Sequence, residues 1–128
     1  MIVVDSCGWV ERFAGSPHGE LYGAAMQDPG EMLVPAVCLT EVFRLLAREA
    51  GEPAALVGSG VMQQARVVAL DAELAIGAAR AGQAFRLPLA DSVVYATAQA
   101  HGAEVWTHDE HFRGLPGVRF LEAPPAPD

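Results

Sequence analysis

The chain has 128 residues, of which 52% are hydrophobic, and this length and composition predict one folded domain and exclude a disordered chain. The formal net charge is −8 and all eight basic residues are arginine, which argues against a broad, non-specific nucleic-acid binder. No apolar run approaches the roughly 18 residues of a membrane span, and the first residues do not resemble a secretion signal, so we expect a cytoplasmic protein.

The first half of the chain alternates short apolar segments with segments of helical periodicity. Trp9, Val10 and Phe13 recur at helical spacing, whereas Gly51 and Pro53 interrupt a helix. The predicted elements are a strand at 2–4, helices at 6–14 and 16–26, a strand at 32–34, a helix from 35 to about 50, and a helix at 54–64.

The second half continues the same alternation. Asp71 is a suitable N-cap, and Gly102 ends a helix. The predicted elements are a strand at 67–70, helices at 72–84 and 89–101, a strand at 104–107, and a short edge strand at 118–121. The pattern predicts an α/β domain over residues 1–123, with a mostly parallel sheet of four or five strands and helices on both faces. Residues 124–128 are expected to form a disordered tail.

Four acidic residues are candidates for a common site. Asp5 and Asp109 directly follow predicted strands, and sites in parallel sheets form at the carboxyl ends of the strands. From Asp91 the helix runs about 15 Å at roughly 1.5 Å per residue, and the strand to Asp109 returns about 16 Å at roughly 3.3 Å per residue. Asp91 and Asp109 are therefore expected at one end. Glu41, roughly 9 Å into its helix, could reach back towards Asp5.

Carboxylates that converge in this way repel one another, and a hard divalent cation relieves the repulsion. All-oxygen ligands favour Mg²⁺ or Mn²⁺ over zinc, and such an ion suits phosphodiester hydrolysis. Each acid also has a structural interpretation that stays open: Asp5 could end a strand, Asp91 could cap a helix, Glu41 could be solvated, and Asp109 could begin a turn.

Several segments together resemble the PIN-domain family of ribonucleases, and in particular the VapC-type toxins of bacterial toxin–antitoxin pairs. The resemblance covers nearly the whole chain. It is carried by Val4-Asp5-Ser6, Leu39-Thr40-Glu41-Val42, Leu89-Ala90-Asp91 before Ala96-Thr97-Ala98, Trp106-Thr107-His108-Asp109 with Phe112, and Gly114-Leu115-Pro116-Gly117-Val118.

The resemblance implies an endoribonuclease with a Mg²⁺ or Mn²⁺ centre. By position, Asp5, Glu41, Asp91 and Asp109 would hold the metal and carry the catalysis. Ser6 and Thr107 would orient carboxylates or metal-bound water, or they could simply cap the adjoining helix or turn. The family also implies an RNA substrate, a homodimer and a small antitoxin that fills the groove. Apolar helix faces, the second and fourth helices among them, are the expected dimer contact.

The arginines and histidines are less informative. Five arginines could hold phosphates at the rim of the groove, or could belong to solvated helix faces or antitoxin contacts: Arg12, Arg44, Arg48, Arg86 and Arg113. His108 and His111 form an HxxH pair, which we leave out of the metal site, and Asp71 is interpreted as a helix cap.

Other functions fit the sequence less well. A receiver domain and a haloacid-dehalogenase-type phosphatase both rely on a lysine, and this chain has none. A Rossmann or P-loop enzyme would need a glycine-rich loop where Asp5 to Gly8 stand. Two alternatives remain open: a catalytically silent PIN-like binding module, and an RNA-processing PIN nuclease that is not a toxin.

Overall fold

The computed structural model describes residues 1–126. The tail predicted at 124–128 falls partly outside this range, because residues 127 and 128 are not among the described residues. Within the described part of the chain, no helix is both long and apolar enough to span a bilayer.

The structure contains five short strands and six helices. The strands are β1 (Ile2–Val4), β2 (Met32–Pro35), β3 (Arg66–Val68), β4 (Glu104–Thr107) and β5 (Val118–Phe120). The helices are α1 (Ser6–Ala14), α2 (Pro17–Glu20), α3 (Ala36–Ala50), α4 (Glu52–Met62), α5 (Ala72–Phe85) and α6 (Leu89–Ala100). Three 3₁₀ turns lie at Gly23–Met26, Pro29–Glu31 and Glu110–Phe112.

All five strands are parallel, in the order β3-β2-β1-β4-β5. The chain moves outwards from β1 to β3 and then crosses back to β4 on the other side of β1. The register aligns Val4 with Trp106, so β1 and β4 end side by side. This pair is where the strand order reverses, and open α/β sheets form their binding crevices at such a point.

Successive residues along the central strands are buried, which requires cover on both faces of the sheet. Val3 and Val4 are fully buried, and so are Leu33 and Val34. Helix α6 packs across β1, β2 and β4, while α1 packs on α3. Since parallel crossovers are right-handed, α1 to α4 cover one face and α5 and α6 the other. The predicted fold class is therefore confirmed.

The second predicted helix is wrong in extent. A continuous helix was expected over 16–26, whereas α2 ends at Glu20 and a 3₁₀ turn follows at Gly23–Met26. Two glycines lower the helix propensity of this segment. Gly19 also lies against the backbone of Glu11 in α1, so tertiary contact fixes where the segment bends.

The other differences concern element ends. Helix α4 begins at Glu52 rather than at residue 54, because Pro53 is tolerated in the first turn, where its missing N–H has no helical partner. The turn into α4 has Gly51 at a φ of 91°. Strand β3 is shorter than predicted and ends at Val68, with Ala69 and Leu70 in the connection to α5.

The contrast between two glycines tests this packing. A Cβ on Gly19 would overlap the carbonyl group of Glu11, whereas a Cβ on Gly77 in α5 would meet nothing within 4 Å. We expect Gly19→Ala to destabilise the protein by about 1–3 kcal/mol through overpacking. We expect Gly77→Ala to stabilise it by about 0.5–1 kcal/mol through helix propensity. Urea denaturation followed by circular dichroism measures both, and equal effects of the two substitutions would contradict the packing described here.

Candidate metal centre

Asp5 lies directly after β1 and caps the N-terminus of α1. Its Oδ1 accepts a hydrogen bond of 2.8 Å from the backbone N–H of Ser6, and its Oδ2 accepts one of 2.9 Å from the hydroxyl of Thr107. The residue is only 3% exposed. The pKa of Asp5 is raised to about 6, chiefly by burial and to a smaller extent by the charges of Asp109 and Glu41, while the two hydrogen bonds oppose the shift.

Asp91 and Asp109 face each other across the same edge of the sheet. Asp91 lies in the first turn of α6, and Asp109 caps the 3₁₀ turn that follows β4. Burial raises the pKa of Asp91 to about 7, and repulsion by Asp109 and Asp5 adds to the shift. The length-based expectation that Asp91 and Asp109 lie at one end thus agrees with the geometry.

Thr107, the last residue of β4, connects two of these acids. Its buried hydroxyl donates to Asp5 and accepts a 3.0 Å hydrogen bond from the backbone N–H of Asp109. One side chain therefore fixes the Asp5 carboxylate relative to the turn that carries Asp109.

Glu41 stands at the periphery of the group. It lies on α3, and its Oε1 accepts a 2.7 Å hydrogen bond from the hydroxyl of Ser6, whose own N–H donates to Asp5. The structure therefore brings Asp5, Asp91 and Asp109 within electrostatic range of one another, and Glu41 joins them through Ser6.

The geometry shows which of the four acids are caps and whether Glu41 is solvated. Asp5 and Asp109 are caps, and with Asp91 they also form an acidic cluster. Asp91 is not the cap of α6, because Pro88 occupies that position without a side-chain hydrogen bond. Glu41 is partly buried and hydrogen-bonded rather than freely solvated.

Cys7 borders the acids but does not add a nucleophile. Its Sγ lies 3.4 Å from the Thr107 hydroxyl and 3.7 Å from Oδ2 of Asp5. Burial, reinforced by the charge of Asp5, raises the pKa of the Cys7 thiol to about 12. The thiol therefore stays protonated and unreactive at neutral pH. Cys7 and Cys38 are both free.

The two histidines of the HxxH pair take different positions. His108 turns away from the acids, shares a 2.7 Å hydrogen bond with the Tyr22 hydroxyl and stacks on His18. The Nδ1 of His111 lies 2.8 Å from Oδ1 of Asp109 and 3.2 Å from Oδ2 of Asp91. The predicted metal site included neither histidine, whereas the structure places His111 beside two of its acids. The available signal was its position two residues after a turn-capping aspartate, where its N–H bonds to that carboxylate.

The five arginines considered for the rim do not neutralise this cluster. Arg48 pairs with Glu49, and Arg113 pairs with Glu110 and Glu122. Over residues 1–126, no arginine forms an ion pair with Asp5, Asp91 or Asp109.

The donor set suits a divalent cation. One oxygen each from Asp91 and Asp109 and one ring nitrogen of His111 lie within 4.8 Å of one another. The Asp5 carboxylate is near enough to raise the pKa of Asp91 by its charge. Carboxylate oxygens that repel one another and have no arginine partner are the ligands that Mg²⁺ and Mn²⁺ prefer.

Known proteins resemble this chain both in sequence family and in fold. The family model of the PIN domain matches residues 2–118. No curated protein matches the chain. Among solved structures, a toxin–antitoxin complex from Klebsiella pneumoniae is similar with a TM-score of 0.81 and 20% identity, over 95% of this chain and 98% of that one.

Two further structures show the same fold at low identity. The Mycobacterium tuberculosis toxin VapC20, described as cleaving the sarcin–ricin loop, has a TM-score of 0.70 and 23% identity over 93% of this chain and 99% of its own. A DNA-bound VapBC complex from Salmonella typhimurium has a TM-score of 0.68 and 18% identity, over 93% and 95% of the two chains.

The raised pKa of Asp5 predicts how stability of the metal-free chain depends on pH. The unfolded carboxyl ionises near its ordinary pKa of 3.8, whereas the folded one ionises near 6. The folded state therefore binds more protons between these values, and the contribution of Asp5 to stability is lost as the pH rises through about 6.

We expect Asp5→Asn, measured in excess chelator, to be more stable than the native chain by about 1–3 kcal/mol at pH 8 and equally stable near pH 4. Urea denaturation across this pH range provides the measurement. A variant that is less stable at pH 8 would show that the Asp5 carboxylate stabilises the fold in its ionised form.

Proposed function

This chain belongs to the PIN-domain family, and from that membership we propose that it is a metal-dependent endoribonuclease, the toxin of a type II toxin–antitoxin pair. The proposal assigns the metal, Mg²⁺ or Mn²⁺, to Asp5, Glu41, Asp91 and Asp109. It assigns to Ser6 and Thr107 the orientation of Glu41 and Asp5, through the hydrogen bonds that their hydroxyls donate.

The observation that carries the proposal is the convergence of Asp5, Asp91 and Asp109 without a cationic arginine. Three like charges at one sheet edge cost stability in the metal-free chain, since the charge of Asp109 raises the pKa of both Asp5 and Asp91. A scaffold without metal chemistry gains nothing from this repulsion. A divalent ion bound there would offset it, polarise a phosphodiester and lower the pKa of an attacking water.

The protein's own contribution to the reaction is positional. Thr107 holds one oxygen of Asp5 and, through its backbone neighbour, the turn that carries Asp109. Ser6 holds Glu41 on the other side. Because these carboxylates are fixed before substrate arrives, little reorganisation is needed when the phosphodiester enters the site.

RNA is the proposed substrate, because one relative of the same fold is described as a toxin that cleaves the sarcin–ricin loop. An acidic chain binds RNA only where local cations meet the phosphates. Arg44, one turn beyond Glu41 on α3, and Arg86, at the end of α5, are exposed and form no ion pair within residues 1–126. A guanidinium group binds a phosphate through two parallel hydrogen bonds.

An antitoxin is the proposed protein partner, because two of the structural relatives named above, those from Klebsiella pneumoniae and Salmonella typhimurium, are toxin–antitoxin complexes. The acidic cluster of Asp5, Asp91 and Asp109 lacks arginine partners within residues 1–126, so an inhibitor that covers it should present a basic or amphipathic segment. A co-purified partner with an acidic docking segment would contradict this part of the proposal.

The cleavage test compares two aspartates. The purified chain is incubated with a structured RNA and Mg²⁺ or Mn²⁺, with and without chelator, beside Asp5→Asn and Asp71→Asn. Asp71 caps α5 through Leu74 and is exposed, and asparagine caps helices equally well. We expect chelator to abolish cleavage, Asp5→Asn to lower it by about 100-fold or more, and Asp71→Asn to leave it unchanged.

Other results would support the two alternative functions. Absence of cleavage by the native chain, together with absence of metal binding in calorimetry, would favour the catalytically silent binding module. Metal-dependent cleavage without growth arrest when the chain is expressed alone would favour an RNA-processing nuclease rather than a toxin.

The proposed homodimer has its own test. Helix α4 exposes Leu56, Val57 and Val61, and an exposed apolar face of this kind is typical of a protein contact. We expect the native chain to sediment as a dimer at micromolar concentration, and Val57→Glu to sediment as a monomer. Ile76→Glu on α5, which replaces another exposed apolar residue, should remain dimeric. A dimer lost only in Ile76→Glu would move the contact to α5, and a monomeric native chain would contradict the dimer.

A further inference from the structure

His111 is the only basic side chain within ion-pair distance of the acidic cluster in the described part of the chain. Its Nδ1 lies 2.8 Å from Asp109 and 3.2 Å from Asp91. Adjacent ligands of an octahedral ion with bonds of about 2.1 Å are about 3.0 Å apart. The nitrogen therefore lies at the distance from both oxygens that a shared ion requires.

The turn that carries His111 does not depend on its imidazole. The backbone N–H of His111 donates a hydrogen bond of 3.0 Å to Oδ1 of Asp109. The backbone N–H of Phe112 donates one of 3.0 Å to the carbonyl oxygen of Asp109. The side chain of Phe112 is fully buried and anchors the turn in the core. The position of the ring over the two carboxylates is thus a separate feature, which replacement of the side chain removes without removing the turn.

The two basic residues that flank His111, His108 and Arg113, contact other partners. On one side of it, His108 is held by Tyr22 and His18. On the other side, Arg113 donates to both Glu110 and Glu122 and packs over the ring of Phe120. Neither flanking basic residue faces Asp91 or Asp109, so a nitrogen ligand from this turn can come only from His111.

We propose that His111 is itself a ligand of the divalent ion, through Nδ1 beside Asp91 and Asp109, and that it makes the centre selective for Mn²⁺ over Mg²⁺. The inference rests on the metal centre of the proposed function and assigns its ligand set and its metal. The imidazole would bind as the neutral tautomer that carries its proton on Nε2. Its side chain is 55% exposed, so solvent can accept the hydrogen bond of that N–H.

The selectivity follows from the ligand atom. Mg²⁺ takes oxygen ligands almost exclusively and exchanges its waters reluctantly, whereas imidazole nitrogen is an ordinary ligand of transition metals. The four carboxylates alone would serve either ion. One nitrogen among the ligands stabilises Mn²⁺ and adds little for Mg²⁺.

Pulsed electron paramagnetic resonance of Mn²⁺ bound to the full-length chain tests this directly, because it detects a ¹⁴N nucleus coordinated to the ion. We expect a ¹⁴N coupling in the native chain, its loss in His111→Ala, and its retention in His101→Ala. His101 is the control because it caps the far end of α6 and bonds to the carbonyl group of Thr97.

Calorimetry on the same proteins supplies the affinities. His111→Ala should weaken Mn²⁺ binding by about tenfold or more, the size of effect seen when groups around a metal are removed. Mg²⁺ binding should change by less than about threefold, because nitrogen contributes little to it. His111→Asp, which supplies an oxygen instead, should bind Mg²⁺ at least as well as the native chain and show no ¹⁴N coupling.

The outcomes separate this inference from the function on which it rests. Native Mn²⁺ binding without ¹⁴N coupling, or coupling that survives in His111→Ala, would overturn the role of His111 and leave the carboxylate centre standing. Absence of Mn²⁺ binding by the native chain at millimolar concentration would overturn the metal centre and, with it, both proposals.

Discussion

The hydroxyl of Thr107 donates to the carboxylate of Asp5 and accepts from the backbone N–H of Asp109, and these two bonds tie the end of β1 to the turn after β4. The tie lies where the strand order reverses, so no strand separates the two acids. Because Asp5 is almost fully buried, its charge acts through protein rather than water, and its pKa rises. The raised pKa values of Asp91 and of the Cys7 thiol both depend in part on the charge of this carboxylate.

Each of the three clustered acids also lies at the start of a helix or turn. Asp5 caps α1, Asp91 lies in the first turn of α6, and Asp109 caps the 3₁₀ turn at Glu110–Phe112. Unpaired N–H groups at the N-terminus of an α-helix stabilise negative charge. At Asp5, the hydrogen bond from the backbone N–H of Ser6 partly offsets the burial and repulsion that raise the pKa. The same position explains why each acid, taken alone in the sequence, is hard to distinguish from a simple cap.

The distribution of positive charge complements this arrangement. The chain has no lysine, and the arginines that form ion pairs do so with glutamates outside the cluster. Arg113 bonds to Glu110 and Glu122, so the turn after β4 is fixed from outside while its inner side carries His111. In the described part of this chain of net charge −8, His111 is thus the one basic side chain within ion-pair distance of the acidic cluster.

The sequence alone determined the fold class and the places of Asp5 and Asp109, because strand–helix alternation with acids directly after strands has few solutions in a parallel sheet. It also placed Asp91, since helix rise and strand rise have fixed lengths. The bend after α2 was decided by tertiary structure, through contact of Gly19 with the backbone of α1. Tertiary structure also decided the peripheral place of Glu41 and the opposite orientations of His108 and His111. The direction of a side chain within a turn depends on its partners, and the partner of His108 is Tyr22, which lies 86 residues away in the chain.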